Sequence, residues 1–366
     1  MAGLAQILSE SGHEVSGSDI QFYPPMSDYL EDTGIKTIEG YDKDLLPEAD
    51  LYVIGNALSR GNESVEEILE KKLPFLSGPE MLGQELKGRN VFAISGTHGK
   101  TTTSYMLTHI FRDQGRDIGF LVGGISKNFD NSAKLGTDKT FVIEADEYDS
   151  AFFDKRSKFI HYSPMNLVIN NIEFDHADIF KDISAIYREF HHLIRSMPEN
   201  AEIIFPTDDL NIAKVLNMGC WSRQESYSYL DKDKNSFSQI LPDYTNLKFK
   251  IGKEEGVLNW KMLGEHNARN AMSAILTVSK YGISLNESLE ALSNFKGVSK
   301  RQEILFENSN LILMEDFAHH PTAIQMTLSG LKEKYKDFKI IAAIELRSNT
   351  MKSGYHDDVL IAVSYT

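Results

Sequence analysis

Short segments built on three or four consecutive apolar residues punctuate the middle of this chain, at 91–95, 140–144, 167–171 and 202–205. Each is too short for an ordinary helix and too uniformly apolar for a strand with one wet face. Each therefore predicts a strand buried on both sides of a mostly parallel sheet. Between them the period changes. Residues 177–197 carry Ile179, Ile183, Ile186, Phe190, Leu193 and Ile194 at helical spacing, and 101–114 reads as another helix. Strands alternating with helices are the pattern of an α/β fold, here extending over 89–297. From 226 to 261 the chain turns polar with short alternating runs, which predicts a hairpin-like insertion. A further helix should follow Gly264-Glu265-His266-Asn267.

The pattern is sparser on either side. Residues 1–8 read as a helix already under way, ended by Gly12, and 14–19 as a strand closing on an acid. A second strand, 51–54, runs into Gly55-Asn56-Ala57, and a helix is expected from 65 to 71. In a nucleotide-binding βαβ unit a strand and a glycine turn come before the first helix. Here they would fall before Met1, so the first helix is expected to lack the strand it packs on. After 298, strands at 311–314 and 340–344 flank a helix at 320–335. That is few strands for a covered parallel sheet, and 298–366 reads as an incomplete α/β unit.

The net charge of −15 over 366 residues opposes general nucleic-acid or membrane-surface binding. Anionic ligands remain open to a local positive field. The sole cysteine, Cys220, excludes an intrachain disulfide, and no apolar run has membrane-spanning length; a reducing, cytoplasmic compartment is expected. Beside Trp221, Cys220 reads as a small packing residue rather than a catalytic thiol.

One local field stands directly after the 91–95 run: Gly96-Thr97-His98-Gly99-Lys100-Thr101-Thr102. Strand, glycine turn, Lys-Thr and helix together grip a nucleoside triphosphate. Glycines admit phosphate to backbone N–H groups, Lys100 neutralises the β/γ-phosphates, the Thr101 hydroxyl ligates Mg²⁺, and the helix aims its positive end at the anion. Ile94 stands where the common spacing has its first glycine, so this is a GxxGKTT variant. Chance occurrence is the competing reading, and the flanking strand and helix count against it.

Other polar groups also cluster at predicted strand ends. Glu144-Ala145-Asp146-Glu147-Tyr148-Asp149 closes 140–144, where a Mg²⁺ ligand is needed beside a phosphate loop. Ile172-Glu173-Phe174-Asp175-His176 follows the next strand, and His176 could ligate a metal as neutral imidazole. Asp316-Phe317-Ala318-His319-His320 follows 311–314, with Pro321 placed to open a helix. Arg301 lies just before this segment, and Arg347 and Lys352 could hold a substrate carboxylate or stabilise phosphoryl charge; plain surface cations are the alternative. His191 and His192 lie about 100° apart on a helix and cannot easily share a metal.

The ordered set GTHGKTTT, EADEYD, NNIEFDHADIF, GEHNARNA, KRQE, DFAHHPT and ELRSNTMK resembles the Mur ligase family of ATP-dependent amide-forming enzymes, over nearly the whole chain. The resemblance implies a three-domain α/β architecture. Residues 1–88 would form a UDP-sugar-binding domain, 89–297 a central ATP-binding P-loop domain and 298–366 a C-terminal domain. The outer two would be Rossmann-like and both truncated. The resemblance further implies that ATP phosphorylates the carboxylate of UDP-N-acetylmuramate and that an amine then displaces phosphate. Gly96, Thr97, His98, Gly99, Lys100, Thr101 and Thr102 would bind triphosphate, and Thr101, Glu144 and His176 would serve Mg²⁺. Asn267, Asn270, Asp316 and His319 would contact nucleotide, with Lys100, Glu144, His176 and Arg301 as the catalytic set. Asp19, Asn56 and Arg60 would face the UDP-sugar. Arg347, Asn349 and Lys352 would meet the amine donor, taken as the tripeptide L-alanyl-γ-D-glutamyl-meso-diaminopimelate because AFFDKRSKFIHY, FHHLIR and RSNTMKSG look like that branch. A monomer or weak homo-oligomer is expected. The alternatives are the branch that adds L-alanine alone, a nucleotide-binding fragment without catalysis, and a small-molecule kinase, which would have no need of DFAHHPT or RSNTMK.

Overall fold

Alternate residues of the buried runs go to opposite faces of one sheet. In strand Asn90–Ser95, Phe92 and Ile94 join one core while Val91 and Ala93 join the other. Strands Thr140–Glu144 and Asn166–Ile169 behave alike: Val142 and Val168 face the first core, and Phe141, Ile143, Leu167 and Ile169 the second. A sheet apolar on both faces needs helices on both. Lys100–Asp113, Glu265–Ser279 and Leu285–Ser293 cover the first face. Gly78–Glu85 and Ile183–Ser196 cover the second. The computed structural model describes residues 1–23, 26–230, 233–346, 349–352, 354–355 and 360.

Asn90–Ser95 lies between Asn166–Ile169 and Thr140–Glu144, parallel to both. The chain builds to one side of this strand and then crosses to the other. The crevice beyond its carboxyl end is thus a topological switch point, where open α/β sheets bind ligands. Residues following all three strands converge there.

Four expectations need correction. The hairpins expected in 226–261 are present, but they continue the main sheet and are no insertion. Arg223–Tyr229 pairs in parallel with Glu202–Pro206 and Asn235–Gln239 adds in parallel, while Asn246–Ile251 and Glu254–Asn259 join antiparallel. These outer strands bury only one face, through Phe237, Leu247, Phe249 and Leu258, which explains their alternating sequence. The helix expected at 177–197 starts at Ile183, where the Asp182 side chain accepts a hydrogen bond from Ala185 N at 3.0 Å. Ile179 precedes the cap and is 39% exposed.

The first helix, Ala2–Glu10, does not want for a packing surface. It lies on the edge of the central sheet so closely that a Cβ on Gly3 would stand 2.6 Å from Leu121 Cδ1. Finally, 340–344 forms no strand, and Ile341 is 83% exposed. Among the described residues no strand runs beside it, and an unpaired strand has no ladder. Ile312–Glu315 pairs antiparallel instead with Glu303–Glu307, ahead of helix Pro321–Lys334.

Candidate nucleotide-binding and active site

The glycine turn is held open by backbone geometry. Gly99 caps the helix Lys100–Asp113 with φ 79°, the left-handed region, and a Cβ there would stand 2.4 Å from Asn270 Oδ1. At Gly96, φ 127°, a Cβ would meet Asn171 O at 2.9 Å. The loop is fastened to the neighbouring strand end: His98 N donates to Asn171 Oδ1 at 2.8 Å and Glu173 N to Thr97 Oγ1 at 2.8 Å.

Lys100 turns back to donate to Gly96 O at 2.8 Å and reaches Glu147 Oε2 at 3.4 Å and Asp146 Oδ1 at 3.7 Å. Burial works against its charge, but Glu147, Asp146 and Glu144 outweigh that and hold its pKa above the ordinary lysine value. Thr101 Oγ1 donates to Glu144 Oε1 at 2.8 Å, and Glu144 Oε2 accepts from Gly123 N at 2.8 Å. Burial, with Asp146 beside it, pushes the Glu144 carboxyl up. Asp146 is held low: Lys100 and Lys158 overcome its burial. A hydroxyl and two neighbouring carboxylates form a hard oxygen donor set, and the raised Glu144 is a carboxylate short of positive charge. These residues fit Mg²⁺.

His176, in the left-handed region at φ 56°, stacks near Tyr148 at 5.1 Å and places Nε2 3.6 Å from Glu147 Oε1. It therefore meets the carboxylate cluster through Glu147. Asn170 Nδ2 donates to Thr103 Oγ1 at 3.0 Å, and Ser273 Oγ donates to Asn170 Oδ1 at 3.2 Å, which ties the helix Glu265–Ser279 to the loop. Asn270 Nδ2 is buried with no hydrogen-bond partner among the described residues, a donor aimed at the crevice that fits a nucleotide acceptor. Asn267 Nδ2 instead donates to Leu263 O at 2.8 Å.

A cleft of about 540 Å³ collects these groups. Thr97 to Thr102, Glu144, His176, Asn267, Asn270, Arg301, Asp316 and His319 all line it. Gly96 lies just behind its wall. Arg301 sits over the Phe317 ring at 4.6 Å. Asp316 accepts from Gln302 N and Ala318 N at 2.8 and 2.7 Å, though burial raises its pKa. Glu173 is held down to about 2: burial opposes its charge, but His98, Thr322 and His320 overcome it.

The remaining expected residues do not line this cleft. Asp19 is the exposed last residue of strand Ser16–Asp19, Asn56 is an exposed turn residue, and Arg60 is exposed and bonded to Glu66 at 2.9 Å through two nitrogens. Lys352 is exposed at the end of helix Asn349–Lys352. Arg347 lies outside the described residues, as does the side chain of Asn349. Asp146, of the acidic turn expected to serve a metal, also lines the cleft, and so do Asn170, Asn171 and Gln302, to which the sequence reading gave no role. Asn170 and Asn171 carried a signal, as the polar residues that close a buried run. Gln302 had none beyond adjacency to Arg301.

Residues 94–278 match the Mur ligase middle domain, and residues 1–90 match the Mur ligase family catalytic domain. The chain is 46% identical, over 98% of its length and 79% of the relative's, to the UDP-N-acetylmuramate–L-alanyl-γ-D-glutamyl-meso-2,6-diaminoheptandioate ligase of Escherichia coli strain K12. It is 30% identical to the UDP-N-acetylmuramate–L-alanine ligase of Endomicrobium trichonymphae, over 94% of this chain and 75% of that one. The crystal structure of a murein peptide ligase from Psychrobacter arcticus superposes with a TM-score of 0.83 at 40% identity, covering 99% of this chain and 80% of the other.

Proposed function

The chain belongs to the Mur ligase family, and from that premise we propose that it joins L-alanyl-γ-D-glutamyl-meso-diaminopimelate to UDP-N-acetylmuramate at the expense of ATP. The observation that carries this reading is the similarity to a ligase of that specificity over nearly the whole chain, well above the similarity to an alanine-adding ligase. ATP transfers its γ-phosphoryl group to the UDP-sugar carboxylate. The tripeptide amine attacks the resulting acyl phosphate, phosphate leaves with the acyl–oxygen electron pair, and the amine loses a proton as the amide forms.

The chain's own residues position and neutralise. Gly96 to Thr102 cradle the triphosphate, with Lys100 as the fixed positive charge and Asn270 donating to the nucleotide. Thr101, Glu144 and His176 would hold Mg²⁺, which would supply charge neutralisation on the phosphates. His176 orders the carboxylate cluster through Glu147. Arg301, Asp316 and His319 face the nucleotide from beyond residue 298. The sugar nucleotide is met by Asp19, Asn56 and Arg60, and the tripeptide by Arg347, Asn349 and Lys352. Residues 1–88, 89–297 and 298–366 form the three domains, working in the cytoplasm.

The test is incubation with ATP, Mg²⁺, UDP-N-acetylmuramate and either tripeptide or L-alanine, followed by mass spectrometry. UDP-muramyl-tripeptide is the expected product. Product with L-alanine alone, or phosphate release indifferent to any amine, overturns the reading.

A further inference from the structure

One side-chain cluster at the edge of the cleft has no part in this chemistry, to which His98 contributes only the backbone of the glycine turn. His98 of the glycine turn, Glu173 of the loop after Asn166–Ile169, and His320 at the start of helix Pro321–Lys334 each bring a donor atom within 4.8 Å of the others. His98 Nε2 lies 3.8 Å from Glu173 Oε1, and His320 Nδ1 lies 3.4 Å from Glu173 Oε2. The two imidazoles face each other with ring centroids 4.5 Å apart. His98 Nε2 is also buried and has no hydrogen-bond partner among the described residues. Beyond its ion-pair approach to Glu173 the ring nitrogen makes no hydrogen bond, and a buried polar atom in that state calls for a ligand.

We propose that His98, Glu173 and His320 form a binding site for a transition-series divalent cation of the Zn²⁺ class, which ties the helix Pro321–Lys334 to the glycine turn. Two imidazoles and one carboxylate are a common zinc ligand set, with a coordination position left for solvent. Nitrogen donors separate this site from the oxygen donors Thr101, Glu144 and Asp146, which suit Mg²⁺. Thr322 Oγ1 donates to Glu173 Oε2 at 2.6 Å, and such an outer partner orients a ligating carboxylate. Two ligands come from the central sheet's loops and the third from the segment after 298. Occupancy therefore restrains the one helix that supplies His320, and with it the wall of the cleft that carries Asp316 and His319.

The test uses the chain as it stands, stripped with a chelator and titrated with Co²⁺ as a spectroscopic substitute under excess Mg²⁺. One equivalent should bind with visible d–d absorption. Glu173→Gln, which keeps the shape and an acceptor for Thr322, and His320→Gln should each weaken Co²⁺ by more than the roughly 10–100-fold typical of losing an outer-shell partner. Glu144→Gln should leave the band in place. Zn²⁺ should raise the unfolding temperature of the parent chain but not of Glu173→Gln, and should slow amide exchange within Pro321–Lys334. Thermal unfolding of the metal-free variants separates lost binding from lost fold. The assignment falls if no band forms, if the band survives both ligand variants, or if Glu144→Gln removes it. Binding without slower exchange would overturn the tie to the helix.

Discussion

Replacing Lys100 with methionine removes one charge from a cluster in which Glu144, Asp146 and Glu147 face Lys100, with Lys158 as a second cation at Asp146. The Lys100 Nζ lies 3.4 Å from Glu147 and 3.7 Å from Asp146. At an effective dielectric constant of about 20 those separations correspond to about 5 and about 4.5 kcal/mol of attraction. The ammonium is itself costly to bury, so the net loss is smaller, about 3–5 kcal/mol, as for any buried pair stripped of one partner. The loss should depend on pH with a definite sign. Without Lys100, Asp146 keeps only Lys158 as its cation and rises, and Glu144 rises further. A carboxylate whose pKa is higher folded than unfolded contributes stability that is present below the unfolded value and lost as pH rises through the folded one. The deficit should therefore be greatest at neutral pH and shrink in mild acid. Urea unfolding of parent and variant at both pH values measures it, and ATP-dependent phosphate release should fall to background in the same variant. A deficit below about 1 kcal/mol, the range of exposed ion pairs, would refute the reasoning. So would one that does not change on acidification.

Glu144→Gln should raise the Mg²⁺ concentration for half-maximal turnover at least about 10-fold; superimposable Mg²⁺ titrations would take Glu144 out of the metal site. Gly99→Ala places a side chain at φ 79°, at about 1–2 kcal/mol, and drives its Cβ toward Asn270 Oδ1. ATP affinity should fall about 10-fold, and calorimetry giving an unchanged Kd would exclude the loop as the phosphate cradle. Arg347→Ala should raise KM for tripeptide more than KM for ATP, and equal effects in steady-state kinetics would place Arg347 elsewhere.

The sequence by itself determined whatever depends on neighbours along the chain. The strand Thr140–Glu144 was legible residue for residue, because consecutive apolar residues Phe141, Val142 and Ile143, too few for a helix, have only one kind of place in an α/β sheet. The strand, glycine turn and helix of 90–113 were legible because two glycines and the apolar runs beside them impose that geometry locally. Polar residues past strand ends marked the crevice for the same reason. The tertiary structure decided what is paired across distance. Residues 340–344 are as apolar as the buried strands, yet a strand exists only beside a partner, and Ile341 stays in solvent. The alternation in 226–261 announced strands buried on one face but not that they would extend the main sheet. Glu147 is one of several acids in EADEYD. It became the link between Lys100 and His176 only when three strand ends met at one switch point. His98, Glu173 and His320 are likewise scattered along the chain. Their approach to within a few ångströms is set by how the helix Pro321–Lys334 lies against the loops of the sheet, a relation no local pattern encodes.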